Sequence, residues 1–375
     1  MARNLIPRQA FLILNALPHI GPITLNRLLE HFNNDPVAVL NAPPKELCQV
    51  DGVGPTIAQT LRKWNKHFDL DREEKLLAKR DVVFVTSQDP EYPAVLKEIY
   101  DPPIGLYRKG NPVETTPSIA IVGSRRTTLY GQSVAKKLAA ELCRSGFCVV
   151  SGMARGIDTM AHEGALSVDG KTVAVLGCGL DIIYPPENLD LYRKLTEKGA
   201  IYSEFPFGRR ADRQTFPMRN RIVAGMSEGI IVVESDAKGG SMITARFAGE
   251  QGRLVFAVPG RIDQSSSAGC HQLIRDGAIL CRSVEDVLEE LNYLQGMRPM
   301  PMPIDPGKES VAPTNLSEEE NIILSHFANG EILTIDRLTE LTSRPAHELS
   351  PLLMMLELKR KIAKRADGSF EATFG

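Results

Sequence analysis

The sequence predicts an α/β protein in three parts: a parallel sheet at the centre, helices before it, and a small unit of helices and a hairpin after it. Three observations predict this. From about residue 118 to 281, runs that are apolar throughout alternate with helix-like stretches, as in a parallel sheet covered on both faces. Before residue 80 the periodicity is helical and interrupted by glycine turns. Residues 296–315, GMRPMPMPIDPGKESVAPTN, are Pro-rich and polar and read as a flexible linker to a last compact unit.

Residues 1–80 contain two similar segments, Leu17–Leu28 and Val50–Leu61. Each has a glycine turn, Ile20-Gly21-Pro22 or Gly52-Val53-Gly54, followed by a fresh amphipathic helix. This is the pattern of a tandem helix-hairpin-helix, or SAM-like, module, although the first turn lacks the tighter Gly-x-Gly. Such turns offer backbone N–H groups to a phosphate; a structural or protein-contact role is the other reading. The apolar N-terminal patch has no small-residue cleavage site and fits a helical hairpin better than a signal peptide.

The central region, 81–295, opens on the apolar run Val82–Val85. A Pro-rich stretch from Tyr92 to Tyr107 reads as irregular connection. Ile119–Val122, Cys148–Val150, Thr172–Leu176, Ala200–Tyr202, Gly229–Val233, Leu254–Val258 and Ala278–Cys281 are strand-like, and the alternation is Rossmann-like. In residues 316–375, Ser317 and Glu320 form a capping box at a helix start. Two more helices, 335–341 and 346–358, and a hairpin over 361–373 complete a winged-helix outline. This unit has seven Lys/Arg against ten Asp/Glu, which favours protein contact over reading of a duplex groove.

The whole chain has 375 residues, a formal net charge of -2 and 43% hydrophobic residues. That composition excludes a nonspecific polycation but leaves room for a local basic patch. No apolar run is long enough to predict a membrane span. Six cysteines without a CxxC pair read as reduced, mostly buried thiols of a cytoplasmic protein; no metal and no cofactor is predicted.

Several turns carry chemistry. Gly123-Ser124-Arg125-Arg126 follows a strand and precedes a helix, where α/β sheets bind anions. Its glycines lack the dinucleotide spacing, and two arginines stand where backbone amides normally serve, so the turn reads as a phosphate clamp. Ser151-Gly152 closes the next strand, and small residues there permit close approach. Asp158 and His162, four apart on one helix, read as a structural pair, since neither a third ligand nor a nucleophile accompanies them. Leu176–Asn188 ends in a rigid Tyr-Pro-Pro-Glu-Asn turn. From Phe205 to Val223, five arginines and three phenylalanines fall in 19 residues with one acid. Arginine grips phosphate and aromatic faces stack unpaired bases, so Arg213, Phe216, Arg219, Asn220 and Arg221 are candidate single-strand contacts. Gly239-Gly240-Ser241 opens a helix and makes another anion nest.

At these residues the chain resembles the DNA-processing protein A family (DprA, also called Smf). The resemblance rests on Gly123-Ser124-Arg125 with Thr128–Gly131, Ser151-Gly152 with Gly156-Ile157-Asp158, and Val173–Asn188. It continues through Ser203-Glu204, Pro217–Ala224, Gly239–Ala245, Phe256–Gly260 and Leu273–Ala278. It implies a non-enzymatic, single-stranded DNA-binding homodimer that protects incoming DNA in natural transformation and helps load RecA recombinase. The family's DNA-contacting arginine falls on Arg125. Its basic residue three before an aromatic falls on Arg213, with Phe216; lysine is common there, and the arginine keeps the charge. Two other readings compete. A phosphoribohydrolase-type enzyme would need a Pro-Gly-Gly-x-Gly-Thr turn, which Lys238–Thr244 does not supply. A sequence-specific transcription factor would need a basic C-terminal unit.

Overall fold

The computed structural model describes residues 5–112, 117–295, 316–327, 331–359, 361–365 and 368–372. Six helices come first: α1 (Pro7–Ala16), α2 (Pro22–His31), α3 (Pro36–Asn41), α4 (Pro44–Leu47), α5 (Pro55–Arg62) and α6 (Leu70–Arg80). Proline stands at the start of the first five, where its missing N–H costs nothing. Gly21 and Gly54 are the N-caps of α2 and α5, so both predicted glycine turns do start new helices. Gly52 has φ +84°, a conformation that favours glycine.

The central sheet holds β1 (Val83–Thr86), β2 (Gly105–Gly110), β3 (Ser118–Gly123), β4 (Cys148–Ser151), β5 (Thr172–Leu176), β6 (Ala200–Ser203), β7 (Gly229–Val233), β8 (Leu254–Ala257) and β9 (Ile279–Leu280). Between and after the strands lie α7 (Leu129–Arg144), α8 (Ile157–Ser167), α9 (Leu189–Lys198), α10 (Thr215–Gly225), α11 (Gly240–Glu250), α12 (Ala268–Arg275) and α13 (Val284–Gln295). The strand order is β1-β2-β6-β5-β4-β3-β7-β8-β9. From β6 to β9 all neighbours are parallel. β1 and β2 add an antiparallel edge. The sequence predicts irregular connection from Tyr92 to Tyr107, but β2 begins within it, at Gly105. Its Arg108 is buried and pairs with Glu91 at 2.6 Å, and charged positions hide a strand from a search for apolar runs.

Alternation along the strands sorts the core. Ala120, Val122, Ile230 and Val232 face α10, α11 and α12. Ile119, Ile121, Ile231 and Val233 face α7, α8 and α13. The N-terminal helices share one cluster with Phe84, Tyr107, Ala174 and Ile201 of the sheet and with Leu191 and Leu195 of α9. Asn15 Nδ2 also donates to Glu204 O at 2.8 Å.

The last unit contains α14 (Glu318–Ser325), β10 (Ile332–Leu333), α15 (Ile335–Thr342), α16 (Ala346–Leu358), β11 (Ile362–Lys364) and β12 (Phe370–Ala372). Its predicted capping box is present: Glu320 N donates to Ser317 Oγ at 3.2 Å and Ser317 N to Glu320 Oε2 at 2.7 Å. The sequence predicts only the hairpin here, and the structure adds β10 to make the three-stranded sheet β10-β12-β11. The predicted linker, 296–315, lies outside the described residues. Tyr130 N donates to Glu371 Oε1 at 3.2 Å, joining β12 to the start of α7. Among the described residues, no helix is long and apolar enough to cross a membrane. The six cysteines are free, and four are buried.

His162 of α8 is fully buried. Its Nδ1 lies 2.7 Å from Thr172 Oγ1, whose own proton goes to Val149 O at 2.8 Å. Nδ1 must therefore be the donor, which leaves Nε2 unprotonated and without a partner among the described residues. Burial, with the Arg219 charge, pushes the imidazole down to about 3. Unfolding restores an ordinary value near 6.5, so the unfolded state binds the extra proton first. The contribution of neutral His162 is complete above about pH 6.5 and is lost as pH falls toward about 3. We expect His162→Gln to flatten the melting-temperature profile in that window; an unchanged profile would show that other groups control the acid limb.

Candidate nucleic-acid interface

β3 lies between β4 and β7, and the chain leaves β3 for α7 on one face and β7 for α11 on the other. This is the switch point of a doubly wound sheet, where a crevice opens beyond the strand carboxyl ends. A cleft of about 520 Å³ occupies it. Gly123, Ser124, Arg125, Arg126, Gly152, Arg213, Phe216, Arg219, Asn220, Gly239, Gly240 and Ser241 all line it. Segments 123–126, 213–220 and 239–241 are far apart in sequence, and the fold brings them together. Ala154, Asp158, Pro217, Ser235, Asp236, Ile243 and Thr244 also line the cleft and were not singled out as contacts.

Two predicted contacts are not in the cleft. Ser151 is fully buried and donates to Ile121 O at 2.7 Å, tying β4 to β3. Arg221 is 3% exposed; it bonds both oxygens of Glu204 at 2.6 Å and Asp101 O at 2.7 Å. The signal that separates it was present in the sequence. Phe216, Arg219, Asn220 and Val223 follow the i, i+3, i+4, i+7 rule and share the cleft face of α10. Arg221 falls on the opposite side.

Arg219 lines the cleft but is already committed. Its Nη1 donates to Gly152 O at 2.5 Å and Val175 O at 2.6 Å, and it is 4% exposed. A Cβ on Gly152 would lie 1.9 Å from that Nη1, so the glycine admits an arginine of the protein itself. Asp158 accepts from Gly152 N at 3.2 Å and Ala154 N at 3.3 Å. Burial pushes the Asp158 carboxyl up, and the Arg219 charge pulls it back. Asp158 and His162 thus have separate partners and do not pair with each other.

The remaining cations differ. Arg125, Arg126 and Arg213 are exposed and, among the described residues, have no ion pair. The Arg125 guanidinium lies over the Phe216 ring, 4.7 Å from its centroid. Tyr184 contacts the same ring at 5.7 Å, tilted by 48°.

Backbone donors divide in the same way. At the start of α7, Thr128 N donates to Glu234 Oε2 at 3.0 Å and Tyr130 N to Glu371. Carboxylates therefore fill the helix start where the sequence predicts a phosphate site, and the arginines are the donors this turn leaves open. Glu234 is buried, its carboxyl pushed up by desolvation. At the start of α11, the N–H groups of Gly240 and Ser241 have no acceptor among the described residues and line the cleft. Open N–H groups at a helix start are the kind of donor that takes an anion. Among the described residues, no cluster of His, Cys, Asp and Glu fits a metal ion.

Comparison with known proteins identifies the family. The profile of the DNA recombination-mediator protein A family matches residues 83–292, and that of the DprA winged helix domain matches 307–368. DNA processing protein DprA of Bacillus subtilis is 39% identical over 268 residues, covering 70% of this chain and 89% of that protein. The X-ray structure of DNA processing protein A from Streptococcus pneumoniae superposes with a TM-score of 0.68 at 34% identity, covering 76% of this chain and 98% of that one. DNA processing protein A from Helicobacter pylori, studied for its single-stranded DNA binding mode, gives a TM-score of 0.51 at 31% identity, over 57% of this chain and 97% of that one. The chain belongs to the DNA recombination-mediator protein A family.

The division of the arginines has a direct test. Arg221→Ala leaves buried Glu204 unpaired and should destabilise the protein by about 3–5 kcal/mol, lowering the thermal midpoint. Arg213→Ala removes an exposed, unpaired group and should leave the midpoint nearly unchanged. Equal midpoints for the two variants, read by calorimetry, would refute the division.

Proposed function

We propose that this chain binds single-stranded DNA in the cleft at the carboxyl ends of β3, β4 and β7. The carrying observation is the set of guanidinium groups without an ion pair among the described residues, Arg125, Arg126 and Arg213, around the partly exposed ring of Phe216. Guanidinium groups take phosphates, the open N–H groups of α11 take another, and an aromatic face takes an unpaired base. A duplex keeps its bases stacked and cannot use the ring, so a single strand fits this chemistry better. On binding, Arg125 exchanges the ring for a phosphate and frees one face of Phe216. The single-strand binding mode studied in the Helicobacter pylori relative supports the reading.

In the cell the chain would act as a cytoplasmic homodimer that shields incoming single strands during natural transformation and helps load RecA onto them. The family resemblance supports this role. The site needs no catalytic group, metal or cofactor for it.

Titration with a labelled oligonucleotide tests the binding. Single strand should bind more tightly than blunt duplex, with little sequence preference. The log–log salt slope should be roughly 0.7 per phosphate contact, and Arg125→Ala or Arg213→Ala should each lower it by about that amount. Phe216→Ala should weaken binding by about 1–3 kcal/mol while changing the slope little. Equal affinity for duplex and single strand would defeat the proposal.

A further inference from the structure

We infer that the bound strand runs out of the cleft over Tyr184, whose ring stacks the next base, and that Arg210 holds the phosphate beside it. This rests on the single-strand reading above and extends it to a second subsite.

Tyr184 is 36% exposed and belongs to none of the apolar clusters. Its hydroxyl has no hydrogen-bond partner among the described residues. One side of the ring meets Phe216, which lines the main cleft. Tyr184 also lines a second depression, with Asp181, Ile182, Gly208, Arg210 and Ala211. The ring thus lies against the cleft-lining Phe216 on one side and lines the second hollow on the other, so a strand leaving Phe216 in this direction meets it first.

The surroundings suit a nucleotide. Arg210 is exposed and, like Arg213, has no ion pair among the described residues. The neighbouring Arg209 is held by Asp212 at 2.7 Å. The acid in the depression, Asp181, is occupied: both its oxygens accept from Gly208 N, at 2.9 and 3.1 Å. The turn carrying Tyr184 is also pinned. Asn188 Nδ2 donates to Met153 O at 3.0 Å and Thr159 Oγ1 at 2.9 Å, and Glu187 pairs with Arg155. A ring presented on a fixed turn loses little freedom when a base stacks on it.

A length series of oligothymidylates tests this on the full chain. Wild-type affinity should rise by an extra step once the strand outgrows the main cleft. Tyr184→Ala should abolish that step, weakening long strands about five- to 150-fold and leaving the shortest ones unchanged. Tyr184→Phe should behave as wild type. Arg210→Ala should lower the salt slope by about 0.7 for long strands only. In Tyr184→Trp, long strands should quench the added fluorescence and short ones should not; the natural chain has one tryptophan, Trp64, in the N-terminal region. Loss at every length would overturn the inference, because Tyr184 would then only support Phe216. No loss at any length would overturn it too. Failure of the wild type to bind any single strand would defeat the parent reading before a variant is made, and this one with it.

Discussion

The guanidinium of Arg219 sits in the floor of the cleft and bonds the carbonyls that end β4 and β5, Gly152 O and Val175 O. Its Nε donates to Asn220 Oδ1 at 3.1 Å. A buried cation is costly unless its protons are satisfied and a counter-charge is near. Here Asp158 supplies the charge and is itself held by the Gly152 and Ala154 N–H groups. One network thus joins the loop after β4, the end of β5, the first turn of α8 and the middle of α10. Phe216 and Asn220 take their places because Arg219, between them on the same helix face, is fixed. The exposed arginines stand on a frame that a buried one sets.

Residue type alone does not tell a frame arginine from a ligand arginine. Within 205–223, Arg221 neutralises Glu204 in the core, Arg219 holds strand ends, Arg209 forms a local pair with Asp212, and Arg210 and Arg213 have no ion pair among the described residues. The cluster was legible from composition, and the helical period of α10 was enough to remove Arg221 from the cleft face. The role of Arg219 was not legible, because a helix position facing the cleft mouth and one facing its floor share the same period. Only the neighbouring glycine, Gly152, marks the difference, and the sequence does not show which side chain fills the space it leaves.

The parallel strands were readable because burial on both faces makes them apolar throughout. β2 was not. It is a buried antiparallel strand that carries Arg108 and Lys109 between glycines, and proline-rich chain precedes it. Tertiary partners satisfy its charges: Glu91 takes Arg108, and the carbonyl of Arg80 takes Lys109 at 2.8 Å. Local pattern carries no trace of such distant partners. The same limit applies at α7, whose glycine turn promised an open anion site. Glu234 and Glu371 come from 106 and 241 positions away to fill it.

Those two carboxylates bear on where a nucleic acid can lie. A phosphate brought to the start of α7 would meet two acids at close range, one of them on β12 of the winged helix. At the start of α11 the Gly240 and Ser241 N–H groups have no acceptor among the described residues, although Asp236 lies beside them in the cleft wall. The positive face of the site is therefore narrow, drawn between Arg125–Arg126, Arg213 and the α11 start. A net charge of -2 is compatible with binding a polyanion on these terms, since the field that matters is local and is screened beyond about 8–10 Å. A narrow track of that kind suits one flexible strand, whose successive phosphates can turn to meet a few fixed donors, better than a duplex of fixed width.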